Sequence, residues 1–280
     1  MTSSGATERL RPDREGNRAC LKRAPISLGV LAIVLFCVSL SGLYAQGSAG
    51  SGGKIEPRYL IDVPTAGMLE RGSFAVDLEF YQQGGVLLGF SVGLLDHLSL
   101  GASFGGTNLI GGGTAAFNDA PGVNVKIRVV DEHVIVPALA LGFDSQGHDG
   151  YIKSLSRYVI KSPGLYAVLS KNYGVLGFLS IHGGANYSLE RTDGNKNINL
   201  FLGIEKTLGA FVSVVAEYNL GSNDTGTNAI GKGNGYLNAA LKWSLGGGLT
   251  LAVNLKDLAH NGNEIDFANR TFKIEFIRPF

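Results

Sequence analysis

Cysteine is almost missing from this chain: its two cysteines, Cys20 and Cys37, both fall within the first 45 residues. The remainder can form no disulfide, run no thiol chemistry and offer no thiolate to a metal. Charge is also scarce, at 17% of residues, where a soluble domain carries about 25%. Residues 1–45 hold six of the 24 Lys/Arg and three of the 23 Asp/Glu, so residues 46–280 have 18 basic and 20 acidic residues, net −2. That balance excludes a nucleic-acid footprint. No Pro/Ser-rich linker interrupts the chain after residue 72, which argues for one unit there.

What the chain has in excess is glycine, 41 of 280 residues. Glycine is costly inside helices but tolerable where strands twist and turn, so the composition points to an all-β protein. The start reads differently. Arg9, Arg11, Arg14, Arg18, Lys22 and Arg23 precede an apolar run from Ile26 to Tyr44, and Leu43-Tyr44-Ala45 offers a cleavage site before Gln46. This is the pattern of a signal peptide, residues 1–45, with an uncleaved membrane anchor as the competing reading. Bulky Phe36 argues against Cys37 as a lipid attachment site. Gln46 to Gly53 is Gly/Ser-rich, so residues 46–71 read as a periplasmic lead-in, flexible at first and ordered from about Lys54.

From residue 72 to 280 the dominant pattern is period two, the signature of strands with one apolar and one polar face. The last twelve residues show it: Phe272, Ile274, Phe276 and Phe280 oppose Thr271, Lys273, Glu275 and Pro279, with Ile277 and Arg278 as exceptions. Eleven earlier segments behave alike, from Phe74, Val76, Leu78 and Phe80 against Ala75, Asp77, Glu79 and Tyr81 to Leu249, Leu251, Val253 and Leu255 against Thr250, Ala252, Asn254 and Lys256. Three irregularities remain: Leu87 strays onto the polar face, Pro137 interrupts the fifth segment, and the sixth, near 164–171, is apolar on both sides. Pro137 is expected at a bulge or rim, because it cannot donate to a ladder.

Spacing then separates a membrane barrel from a soluble sandwich. Tight connections, at 95–97, 131–133, 172–174, 208–209 and 245–248, alternate with long ones at 105–121, 144–163, 191–196, 221–235 and 257–268. Only the first hairpin, 82–84, is short on the long side. The expectation is a single antiparallel transmembrane β-barrel of about twelve strands, of the bacterial outer-membrane type, with both termini of the mature chain periplasmic. Outer-membrane lipid is then its first partner. The loop 144–163 is expected to hold a short helix or to extend the sixth strand.

Several blocks, PTAG at 64–67, GASFGGTN at 101–108, PGVNVKIR at 121–128, PALALGF at 137–143 and YAVLSK at 166–171, resemble the YjbH-like outer-membrane β-barrel family. The resemblance implies a non-enzymatic barrel serving exopolysaccharide secretion or envelope organisation, with polysaccharide or its secretion proteins as partners. A terminal strand ending on Phe280, with Phe276 four residues earlier, resembles the signal by which the barrel-assembly machinery recognises its clients. The alternative is a narrow porin for small polar or oligosaccharide solutes; a lipid-active enzyme is more remote.

No cofactor site, metal site or catalytic motif stands out. His97 and Ser99 match the His-x-Ser spacing of outer-membrane phospholipases, but parity turns both away from lipid. His182 has no second histidine at ligand spacing and reads as a hydrogen-bonded interior residue. GGGTAA at 111–116 and GKGNG at 231–235 read as loop glycines. The one constellation is the polar face itself: Asp77, Glu79, Lys126, Arg128, His182, Glu205, Glu217, Lys242, Lys256, Lys273 and Glu275 are expected to face the lumen, as a narrow aqueous pore or as a paired filling.

Overall fold

The computed structural model describes residues 47–53, 55–226, 228–262 and 269–280. The expected leader and cleavage site, both cysteines, Lys54 and part of the last long loop lie outside the described residues. The strands in order are β1 (Ser73–Tyr81), β2 (Gly85–Leu95), β3 (Leu98–Thr107), β4 (Ala116–Phe117), β5 (Gly122–Val130), β6 (Ala138–Asp144), β7 (His148–Ile152) and β8 (Arg157–Ile160). They continue as β9 (Gly164–Gly174), β10 (Phe178–Tyr187), β11 (Asn199–Thr207), β12 (Val212–Asn219), β13 (Tyr236–Gly246), β14 (Leu249–Lys256) and β15 (Asn269–Pro279). Thirteen belong to one sheet. Setting aside the two-residue β4, twelve antiparallel strands form a cylinder that closes where β1 pairs with β15, from Ser73 opposite Pro279 to Phe80 opposite Phe272. No helix among the described residues is long and apolar enough to cross a membrane.

Burial is inverted relative to a soluble sandwich. On β11, Leu200, Leu202 and Ile204 are 49%, 54% and 44% exposed, while Asn199 and Glu205 are 1% and 5% exposed. Alternating side chains enter two environments, an apolar exterior suited to hydrocarbon and a polar interior, as in an outer-membrane barrel. At the seam the Phe74 ring lies 5.4 Å from Phe280 and 6.2 Å from Phe276.

Three local expectations are corrected. The fifth segment begins only at Ala138, leaving Ile135 outside the ladder and 88% exposed; Pro137 has no N–H for the neighbouring strand, and a turn closed by His133 N–H to Val136 O precedes it. The tight connection placed at 172–174 belongs to β9, and the turn lies at 175–177. The loop 144–163 holds the hairpin β7–β8 around a single 3₁₀ turn, Lys153–Leu155.

The largest difference concerns the lead-in. Far from flexible, residues 47–53 lie against the inner wall, where Ser48, Ala49 and Gly50 N–H donate to Thr250, Ser244 and Ser213 hydroxyls. The hydroxyls turned inward at these strand ends satisfy a glycine-rich backbone that has no side chains of its own to pack. Residues 55–69 then rise into the barrel and return as an inward hairpin, with a Tyr59–Pro64 bridge and a turn closed by Leu60 N–H to Val63 O.

Candidate functional site

The site is the lumen wall together with this hairpin. Its turn supplies aliphatic side chains, and Leu60, Ile61, Val63 and Ala66 pack against Ala138, Ala140, Tyr166, Val168, Phe201, Val215 and Ala240, all turned inward from β6, β9, β11, β12 and β13. The sixth segment is apolar on both sides for this reason: one face meets lipid, the other the hairpin. Ile277 packs inward against Leu69 and Ala75, and Leu87 lines the same cavity as Tyr59 and Ile61. Apolar residues on the wrong parity were thus the available sequence signal for an internal plug.

Charged wall residues hold the hairpin by its main chain. Glu217 accepts hydrogen bonds from Ile61, Asp62 and Val63 N–H at 2.9–3.2 Å, with Asn238 as a further donor at 2.8 Å. Lys126 Nζ donates to the carbonyls of Arg58, Thr65 and Gly67 at 2.9, 3.0 and 3.2 Å. Lys242 Nζ reaches Tyr59 O at 3.1 Å and Glu205 at 3.7 Å. His182 Nδ1 lies 2.8 Å from Ser170 Oγ, which accepts from Ala66 N–H.

Ion pairs complete the attachment. Arg58 bridges Asp77 at 2.7 Å and Glu275 at 3.1 Å, and Glu275 also accepts from Ser48 Oγ. Lys273 lies 3.4 Å from Asp77 with its ammonium over the Tyr59 ring, and Arg128 pairs with Glu56 at 2.6 Å. Asp62 meets both Lys256 at 3.0 Å and His148 of β7 at 3.3 Å. Each residue named from the polar face therefore touches the hairpin or a residue that does; Glu79 enters through Lys256, 3.8 Å away. Asp62, Glu79 and His148 place ligand atoms within 4.8 Å of one another, yet the positive charge there is supplied by Lys256.

At the long-loop end, Arg157 of β8, fully buried, donates to Asp193 and Asp224, each at 2.7 Å, from two further loops. Burial by itself would lift the Asp224 carboxyl, but the Arg157 hydrogen bond and charge outweigh it and hold it below the usual aspartate range. Burial does raise Glu190, despite the Tyr158 and Ser162 N–H groups it accepts from. His97 and Ser99 do not form a pair: His97 is exposed beside Asp131, 3.6 Å away, while Ser99 is buried on the inner face.

No family model and no curated protein matches the chain. Among solved structures it is similar to a KdgM porin in complex with disordered oligogalacturonate, at 14% identity and TM-score 0.45, covering 74% of this chain and 99% of that one. It is also similar to the outer membrane protein Omp33 of Acinetobacter baumannii, at 7% identity and TM-score 0.42, covering 76% and 99%. The NanC porin matches at 8% identity and TM-score 0.42, covering 74% and 99%. The expected resemblance to YjbH-like proteins is thereby corrected: the matches are two porins and an outer membrane protein, and of the short blocks PTAG belongs to the inward hairpin and PALALGF to the entrance and body of β6. The exopolysaccharide role rested on that resemblance and falls with it. At such identities and scores the likenesses bear on nothing beyond this, and the outer-membrane barrel stands on its own strand pairing and inverted burial.

Proposed function

We propose that the chain forms a narrow outer-membrane pore for small polar solutes, with its mature termini on the periplasmic side, and that the seated hairpin is its shut state. One observation carries this reading: the main chain of the hairpin is gripped by charged groups of a mixed-sign wall. A permanent filling gains little from such a wall, because buried ion pairs are often no more stabilising than apolar packing of the same volume. A wall that must face water once the hairpin moves needs those charges. The hairpin enters and leaves at the end of the tight turns, where Ser51 and Gly52 N–H bond to Gly209 and Ala210 carbonyls, so it can withdraw without unthreading a strand.

The test is conductance in planar bilayers for the whole mature protein and for a variant lacking residues 54–69. The variant is expected to show larger and steadier single-channel currents, and the whole protein smaller, intermittent ones. If a correctly folded variant carries no current, the lumen is a structural filling and the pore reading fails.

A further inference from the structure

We infer that the lumen is a binding site for a short polypeptide segment in hairpin form, of which the inward hairpin is the resident copy. The inference deepens the pore reading and rests on it only in requiring that the hairpin can leave.

The wall's chemistry is aimed at a peptide main chain. Glu217, 1% exposed, takes three consecutive amide N–H groups, and Lys126, 4% exposed, takes three carbonyls from both arms of the hairpin. A buried carboxylate and a buried ammonium, each facing a row of backbone groups of the complementary kind, define a receptor for backbone with little regard to sequence. Charge-assisted hydrogen bonds of this kind are the strong ones.

Side-chain preference is added around that grip. A Cβ on Gly203 would lie 2.3 Å from Leu60 Cδ1, so the glycine clears a place for a branched aliphatic side chain. Phe201 and Val168 line the space taken by the neighbouring aliphatics, and Asp77 with Glu275 receives a cation four residues before the acidic one. The ligand this describes is a short basic-aromatic-aliphatic-aliphatic-acidic-aliphatic segment that doubles back, entering from the tight-turn end.

The experiment uses the barrel lacking residues 47–69, refolded in detergent, and a fluorescein-labelled peptide with the sequence of residues 55–68. Anisotropy is expected to show saturable binding. E217Q in the barrel should weaken it roughly tenfold or more, and so should N-methylation of Ile61 in the peptide, which removes one donor to a charged acceptor and keeps every side chain. No saturable binding by the folded barrel, or binding indifferent to both changes, overturns the inference. Where the shortened barrel does not fold, the full chain with a protease site inserted between Glu70 and Arg71 is folded first and then cut. Labelled peptide should exchange into the cut barrel and not the uncut one, and failure to exchange also overturns it. Binding by a barrel that passes no current would sink the pore reading and leave the peptide site standing.

Discussion

The Lys256 ammonium on β14 lies 3.0 Å from the Asp62 carboxylate at the turn of the inward hairpin. The same ammonium is 3.8 Å from Glu79 on β1 and 3.6 Å from Asp149 on β7. One buried cation thus ties together the hairpin, the barrel wall and a long-loop hairpin. In Lys256→Met the three carboxylates face one another without it. The expected loss is about 3–5 kcal/mol, the usual result of removing one partner from a buried ion pair. The denaturant midpoint of the detergent-refolded protein measures it, and a loss under about 1 kcal/mol, as for an exposed pair, would contradict the cluster.

Gly203→Val tests the seat of the hairpin turn. The new side chain claims the space of Leu60 and approaches Ala216 O, which a Cβ would meet at 3.0 Å. Overpacking of this kind costs about 1–3 kcal/mol. The hairpin should become accessible to added protease while the barrel keeps its strand content by circular dichroism. Unchanged protection would place Leu60 elsewhere.

Val253, 52% exposed on the outer face of β14, tests the membrane. Arginine there should cost about 2–4 kcal/mol at mid-membrane, and a cysteine there should react with a lipid-soluble maleimide and resist a water-soluble one. Parity alone would make inward-facing Thr250 the permissive control. It is not one, because its hydroxyl accepts from Ser48 N–H at 3.0 Å under the packed lead-in. Thr250→Arg should also destabilise, and a mild outcome would show that the lead-in is not seated.

Asp224 gives the pH dependence of the loop cap. Its carboxyl is depressed in the folded protein by Arg157, so its contribution is present above the ordinary aspartate range and is lost as pH falls through the depressed folded value. Proteolysis of the loops at graded pH should show the cap opening on the acid side only. Asp224→Asn should leave the loops open at neutral pH too, since Arg157 then keeps one carboxylate instead of two. Loops that open equally at all pH values in the native protein would remove this role.

Phe280 is 82% exposed and touches the barrel through the Phe74 ring, while its N–H donates to Gly72 O. Its loss should hardly affect the stability of refolded barrel, since the β1–β15 ladder ends at Pro279. It should instead lower the folded yield in the outer membrane, where the C-terminal strand has to be recognised. Equal yields of the full-length and shortened chains in cells would refute an assembly role.

The barrel was legible in the sequence because its determinants are local. Period two assigns each side chain of a strand to lipid or lumen, glycine and turn residues divide the segments, and alternating connection lengths order them into hairpins. The inward positions of Glu217, Lys126 and Lys256 follow from the same parity, and it is parity that exposed Leu87, Ile277 and the doubly apolar sixth segment as exceptions.

What fills the lumen was decided only by the tertiary structure. Residues 55–69 carry no period of their own, and Glu217 lies 156 residues from the Ile61 amide it accepts from. Local pattern records which solvent a strand face meets, but not whether the polar side meets water or another part of the chain. That choice follows from the closed cylinder, whose interior brings the buried carboxylate of Glu217 and the ammonium of Lys126 within hydrogen-bond distance of the hairpin's amides and carbonyls.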